Sequence, residues 1–228
     1  VLRSKTATLN PCQHRLENQP GMNFRQRLAS AAPSEETVVT IGVFDGVHRG
    51  HGHLLRQVVE LAGDRYIPTV VTFSNRPITV LRPGTEPSYL TTLDQRVDLI
   101  KQQGIELVIC LEFTLEMAQV PAAEFAKMLT DSLKMKGLVL GPDSALGKDR
   151  QGDLAFMRKQ GEELGFWASS VEPLEIAGQP VKSRRIRDAV ANGNLAVCPE
   201  LLGRNHLLSG VVVVGDQRGR TLGFPTAN

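Results

Sequence analysis

Apolar positions fall along this chain in short β-branched runs at 38–44, 69–73, 107–111, 138–140 and 166–171. Between them lie longer stretches, near 51–62, 92–103, 121–135 and 153–164, whose apolar residues fit one face of a helix. A continuous short run suits a strand covered on both faces, and the 3.6-residue spacing suits an amphipathic helix. Regular alternation of the two predicts an α/β fold: an open parallel sheet with helices on both faces. Pro121 marks the opening turn of one helix, with Ala122, Phe125, Met128 and Leu129 on its apolar side. Gly104 and Gly137 are expected as helix C-caps. Ligands in such sheets bind beyond the carboxyl ends of the strands, where the strand order reverses. The end of the first strand, at Phe44 and Asp45, is therefore the expected site.

The texture changes after Ile186. Two short helical pieces, at 183–192 and 195–202, lead into a glycine-rich, β-branched segment with no helical period. That segment is read as the first strands of an antiparallel β-domain, because some 20 residues are too few to bury a core. Residues 1–36, with Pro11 and Pro20 and no signal-peptide core, are expected to be a disordered leader, Met22 being a candidate native start. The expected division is thus a leader at 1–36, an α/β domain at 37–203 and an incomplete β-domain at 204–228.

Composition removes several function classes. Among 228 residues the net charge is only +2 and no long block of like charge occurs, which argues against nucleic-acid binding. No apolar run reaches the roughly 18 residues a membrane-spanning helix requires. Cys12, Cys110 and Cys198 are odd in number and lack metal spacing, so reduced thiols in a cytoplasmic protein are expected.

The chemistry concentrates at 40–51, T-I-G-V-F-D-G-V-H-R-G-H. Gly42, Gly46 and Gly50 permit positive φ or close backbone approach where a ligand sits. A helix opening at His51 would aim unpaired N–H groups and its positive dipole end at the turn, a natural phosphate site. His48 and His51, three apart, can donate to one anion and stabilise charge growing on a transferring phosphoryl group. A structural or metal-binding pair, with His53 nearby, is the competing reading. Neither a Walker loop, a dinucleotide G-x-G-x-x-G after the first strand, nor a G-x-S-x-G elbow occurs. A second basic element lies at V-K-S-R-R-I-R, residues 181–187. There Ser183 is expected to cap a helix whose first turn gathers Lys182, Arg184, Arg185 and Arg187. Positive charge at a helix start opposes the dipole and suits a docked polyphosphate.

G-V-F-D-G-V-H-R-G-H, K-S-R-R-I-R and the tail G-R-T-L-G-F-P-T-A-N together resemble the prokaryotic bifunctional riboflavin kinase/FMN adenylyltransferase, or FAD synthetase, family. The resemblance runs in order over about 38–228. It implies a Rossmann-like nucleotidyltransferase domain that transfers AMP from Mg·ATP to FMN, giving FAD and pyrophosphate, and a kinase domain of antiparallel barrel type that phosphorylates riboflavin. His48 and His51 would hold the ATP phosphates, with Gly42, Val43 and Phe44 lining the nucleotide. Asp45, Gly46, Gly50 and Arg187 would complete that shell. Ser183 and Arg185 would face the β- and γ-phosphates, and Asp143 falls where the family has an acidic or amide residue. Thr226 and Asn228 match the kinase residues that handle Mg2+ and nucleotide. Several positions depart from the family pattern: Lys182 and Arg184 within its S-S-T, Ser144 and Leu146 where aromatics are usual, and Ser74-Asn75-Arg76-Pro77 without the inner proline and histidine. Lost aromatic faces weaken flavin stacking, each by about 0.5–1.5 kcal/mol. Because the tail breaks off early in the barrel, the 228-residue polypeptide is expected to lack riboflavin kinase activity. A nucleotidyltransferase with another acceptor and a flavin- or nucleotide-binding module without turnover are the alternatives.

Overall fold

The computed structural model describes residues 21–86 and 88–211, together with 213, 219 and 223. Its centre is a parallel sheet of β1 (Thr37–Ile41), β2 (Ile67–Phe73), β3 (Leu107–Leu111), β4 (Met135–Leu140) and β5 (Trp167–Ser170), in the order β3-β2-β1-β4-β5. All five residues of β1 are buried, as a central strand covered on both faces requires. Side chains alternate across it. Val39 and Ile41 join one apolar cluster, and Val38 joins the other.

The first cluster lies under α1 (Phe24–Ala31), α6 (Ala122–Leu133) and α7 (Leu154–Leu164), which contribute Leu28, Leu129, Leu133 and Met157. The second lies under α2 (Arg49–Ala62) and α4 (Leu93–Lys101), through Leu55, Val58 and Ile100. Each such fully buried side chain contributes about 1.5–3 kcal/mol of transfer free energy. A third cluster joins Leu90 to α8 (Ser183–Ala191) and α9 (Cys198–Leu202).

The parallel α/β architecture agrees with the sequence pattern, and four local features differ. The expected leader contains α1, whose Asn23 and Gln26 form a reciprocal capping box and whose Phe24 and Leu28 enter the core. Gly137 caps no helix: it lies within β4, where an added Cβ would stand 2.3 Å from Trp167, so the glycine makes room for the indole. The helix before it stops instead at Lys134, in the left-handed conformation. Pro121 is the N-cap of α6 rather than a residue of its first turn. A small hairpin of β6 (Glu175–Ile176) and β7 (Gln179–Pro180), turning through Ala177 and Gly178 at φ +53° and +70°, returns the chain toward β1. The short helices α3 (Pro77–Leu81) and α5 (Leu115–Ala118) complete the set. The β-strands expected in the tail fall largely outside the described residues, and 205–211 have no helix or strand.

Candidate functional site

β1 lies next to β4, and the strand order reverses between them. A cavity of about 410 Å³ opens beyond their carboxyl ends, as the topology predicts. Ile41, Gly42, Phe44, His48, Gly50 and His51 form one wall, and Gly141, Asp143 and Ser144 follow β4. The hairpin and the start of α8 close the third side with Val181, Lys182 and Ser183. Gly50 permits this approach, since a Cβ there would meet the Val181 carbonyl at 2.9 Å.

The turn between β1 and α2 is held in a demanding conformation. Phe44 and Val47 have φ of +51° and +35°, beside Gly46 at +80°. Positive φ is rare for non-glycine residues, above all for a β-branched one. Asp45 holds the turn from inside. Its Oδ1 accepts from the Leu90 and Thr91 amides at 2.9 and 3.3 Å, and its Oδ2 pairs with Arg187 Nη1 at 2.8 Å. Arg204 holds it from outside, donating to the carbonyls of Gly46 at 2.5 Å and Val47 at 3.1 Å. Asp45 and Arg187, both expected near nucleotide, therefore spend their charges on each other and lie off the cavity wall.

His48 is the N-cap of α2, its Nδ1 accepting from the His51 amide at 3.2 Å. Accepting through Nδ1 places the ring proton of the neutral imidazole on Nε2. The two rings stack with centroids 3.6 Å apart, and Phe44 packs edge-on against His51 at 5.2 Å. Burial, reinforced by Arg187 and Arg204, lowers the His48 pKa to about 4. Burial also pushes His51 well below its ordinary value, with His48, Arg96 and Arg187 adding to the effect. Both imidazoles are therefore neutral at pH 7, able to donate a hydrogen bond but not to neutralise charge. His51 Nδ1 is enclosed without a hydrogen-bond partner, an arrangement that costs free energy until an acceptor or donor reaches it.

Ser183 does not cap α8. Lys182 occupies the N-cap without a side-chain bond, and the Ser183 hydroxyl donates to the Asp45 carbonyl at 3.0 Å. Lys182 Nζ instead reaches across the cavity mouth to Asp143 Oδ2 at 2.7 Å. That contact, with Arg150 nearby, holds the Asp143 carboxyl below its ordinary pKa. Arg185 lies off the wall, its Nη1 enclosed without a partner. Val43 and Gly46 are likewise behind the wall, Val43 lending its carbonyl to Thr72 Oγ1. Thr226 and Asn228 lie outside the described residues.

Of the positions that depart from the family pattern, Leu146 is buried in the main core and Ser144 lines the cavity. Asn75 exchanges two hydrogen bonds with the Phe113 backbone, at 2.8 and 2.9 Å, tying the ends of β2 and β3 together. Among the described residues no group of three or more histidine, cysteine or acidic side chains comes together as a metal site would require.

Strand order and the switch-point cavity define the class of this domain as Rossmann-like α/β. The FAD synthetase family model matches residues 30–185, and a riboflavin kinase model matches 202–228. The chain belongs to the FAD synthetase family. A bifunctional riboflavin kinase/FMN adenylyltransferase of Escherichia coli K12 is 38% identical over 87% of this chain and 64% of its own length. One from Pseudomonas fluorescens is 36% identical over 84% of this chain and 62% of its own. The chain thus spans less than two thirds of these relatives. A crystal structure of a macrolide-efflux protein from Streptococcus pneumoniae superposes with a TM-score of 0.77 and 31% identity, covering 86% of this chain and 64% of that one. No helix among the described residues of this chain is long and apolar enough to cross a membrane.

Proposed function

We propose that this chain is an FMN adenylyltransferase whose α/β domain, from α1 through α9, binds ATP in the switch-point cavity and transfers its AMP to FMN. One observation carries the reading: the stacked His48–His51 pair lies on the cavity wall at the start of α2, with the ring proton of His48 on Nε2. A phosphate oxygen is an acceptor suited to that donor, and the helix N-terminus favours its charge. In the reaction a phosphate oxygen of FMN attacks the α-phosphorus of ATP, a new P–O bond forms, and the bond to the departing pyrophosphate breaks. No side chain needs to become covalently attached. The work of the site is to fix the α-phosphorus in line and stabilise its equatorial oxygens. Neutral imidazoles do this by hydrogen bonding without a charge to desolvate. Mg2+ would come as part of the Mg·ATP substrate, where it would offset phosphate charge. The relatives, bifunctional riboflavin kinase/FMN adenylyltransferases, support FMN as acceptor and a riboflavin kinase in a longer protein.

The test is FAD formation from FMN and Mg·ATP by the chain beside His48→Asn and His51→Gln. Asn preserves an N-cap oxygen, so the helix start survives while the imidazole donor is lost. Loss of at least 100-fold in rate with a retained fold supports the site, and unchanged rates contradict it. A binding module without turnover is the second reading, favoured by Ser144, which lines the cavity where an aromatic side chain would stack a flavin. Saturable binding of ATP and FMN with no pyrophosphate release selects that one.

A further inference from the structure

The wall of the switch-point cavity is poor in positive charge. Its side chains include one cation, Lys182, against two carboxylates, Asp143 and Glu172, and its histidines are neutral at pH 7. The arginines of the 184–187 segment are absent from the wall, and Arg187 is bound to Asp45. Lys182 in turn is engaged by Asp143 at 2.7 Å. A polyphosphate entering the cavity thus meets carboxylates and no unpaired lining cation. Yet the ion pair is weak by construction: its side chains are 58% and 75% exposed, and exposed pairs of this kind are easily exchanged for a better partner. A phosphate group offers Lys182 more negative charge and more acceptor oxygens than Asp143 does. The two residues also come from different elements of the cavity lining, Asp143 from the loop after β4 and Lys182 from the N-cap of α8, so the pair links two of its sides.

Resting on the nucleotide reading of this cavity, we infer that Lys182 is the residue that makes the site select a triphosphate, and that Asp143 is its placeholder. The Asp143 carboxylate occupies the lysine when no nucleotide is present and yields it to the terminal phosphates of ATP. Asp143 therefore opposes binding, by competing for Lys182 and by repelling the incoming phosphates. Selectivity arises because AMP, lacking the outer phosphates, gains little from the exchange.

The test measures dissociation constants of ATP, ADP and AMP, with Mg2+ present, for the 228-residue chain and the variants Lys182→Ala, Lys182→Arg, Asp143→Asn and the double Lys182→Ala/Asp143→Asn. Lys182→Ala is expected to weaken ATP about tenfold, the scale of a charged hydrogen bond, and AMP less than twofold. Lys182→Arg should retain the preference for ATP. Asp143→Asn should tighten ATP about threefold, and that gain should shrink when Lys182 is absent. Lys182→Ala binding ATP like wild type, or losing ATP and AMP equally, overturns the inference. Asp143→Asn that binds Mg·ATP more weakly than wild type also overturns it, since Asp143 would then be a ligand contact. A wild-type chain that binds none of the three nucleotides overturns the nucleotide reading itself, and the inference with it.

Discussion

Replacing Asp45 with alanine should unlock the turn that carries His48. The carboxylate is almost wholly enclosed, with its side chain 3% exposed against 16% for Arg187. Removing it leaves Arg187 without its 2.8 Å partner and strips the amides of Leu90 and Thr91 of their acceptor. Breaking a buried ion pair from one side costs about 3–5 kcal/mol, because the remaining charge stays desolvated. With a urea m-value of about 2 kcal/mol/M, the unfolding midpoint falls by roughly 1.5–2.5 M. Asp45→Asn keeps one acceptor oxygen for the amides and loses the charge, so it should lie between alanine and wild type. The assay is urea unfolding followed by circular dichroism, with Arg187→Met and the double variant completing a cycle. Strong coupling between the two sites is expected. An Asp45→Ala midpoint within about 0.3 M of wild type at unchanged slope would refute the clamp.

Other consequences follow from the same geometry. His48 has a folded-state pKa of about 4 against an ordinary 6.5, so the unfolded chain binds more protons between these values. Its contribution is fully present above pH 6.5 and is lost as pH falls toward 4, about 2 kcal/mol by pH 5 and about 3 in all. Urea unfolding at pH 7, 6 and 5 should show that decline and His48→Asn should reduce it; stability flat across the window would contradict the burial argument. Gly50→Ala should destabilise the chain by about 1–3 kcal/mol and weaken nucleotide binding, because its Cβ meets a backbone carbonyl at 2.9 Å. Gly137→Ala, whose Cβ meets the partly exposed Trp167 side chain, should cost less in thermal melts because the indole can swing away. Equal losses for the two glycines would contradict that reasoning.

The sheet was readable because β-branched runs and helix-spaced stretches alternate without ambiguity, and strands 107–111 and 69–73 match their predicted bounds closely. The location of the cavity followed from topology, which needs only the order of elements. Its wiring was not readable. Arg187 and Asp45 are 142 residues apart, and Arg204 reaches Gly46 across 158, distances over which spacing carries no signal. Ser183 looked like a helix cap because serine before a helix commonly is one, but the folded chain gives its hydroxyl a buried carbonyl on another element. The helix at 24–31 was hidden in a segment with scattered charge, although the Asn23-x-x-Gln26 spacing carried a capping-box signal. The C-cap reading of Gly137 fails for a different reason. A glycine after a helical stretch can cap it or seat an aromatic ring, and only the neighbouring strand decides which.

Adenylyl transfer by this chain is tested most directly by following the adenylyl group itself. The chain is incubated with FMN, Mg2+ and ATP labelled at the α-phosphorus, and FAD and pyrophosphate are quantified together. Label is expected in FAD, with one pyrophosphate released per FAD formed and no transfer in the His48→Asn/His51→Gln double variant. Bound ATP and FMN with no labelled FAD, or label transfer undiminished in the double variant, would contradict it.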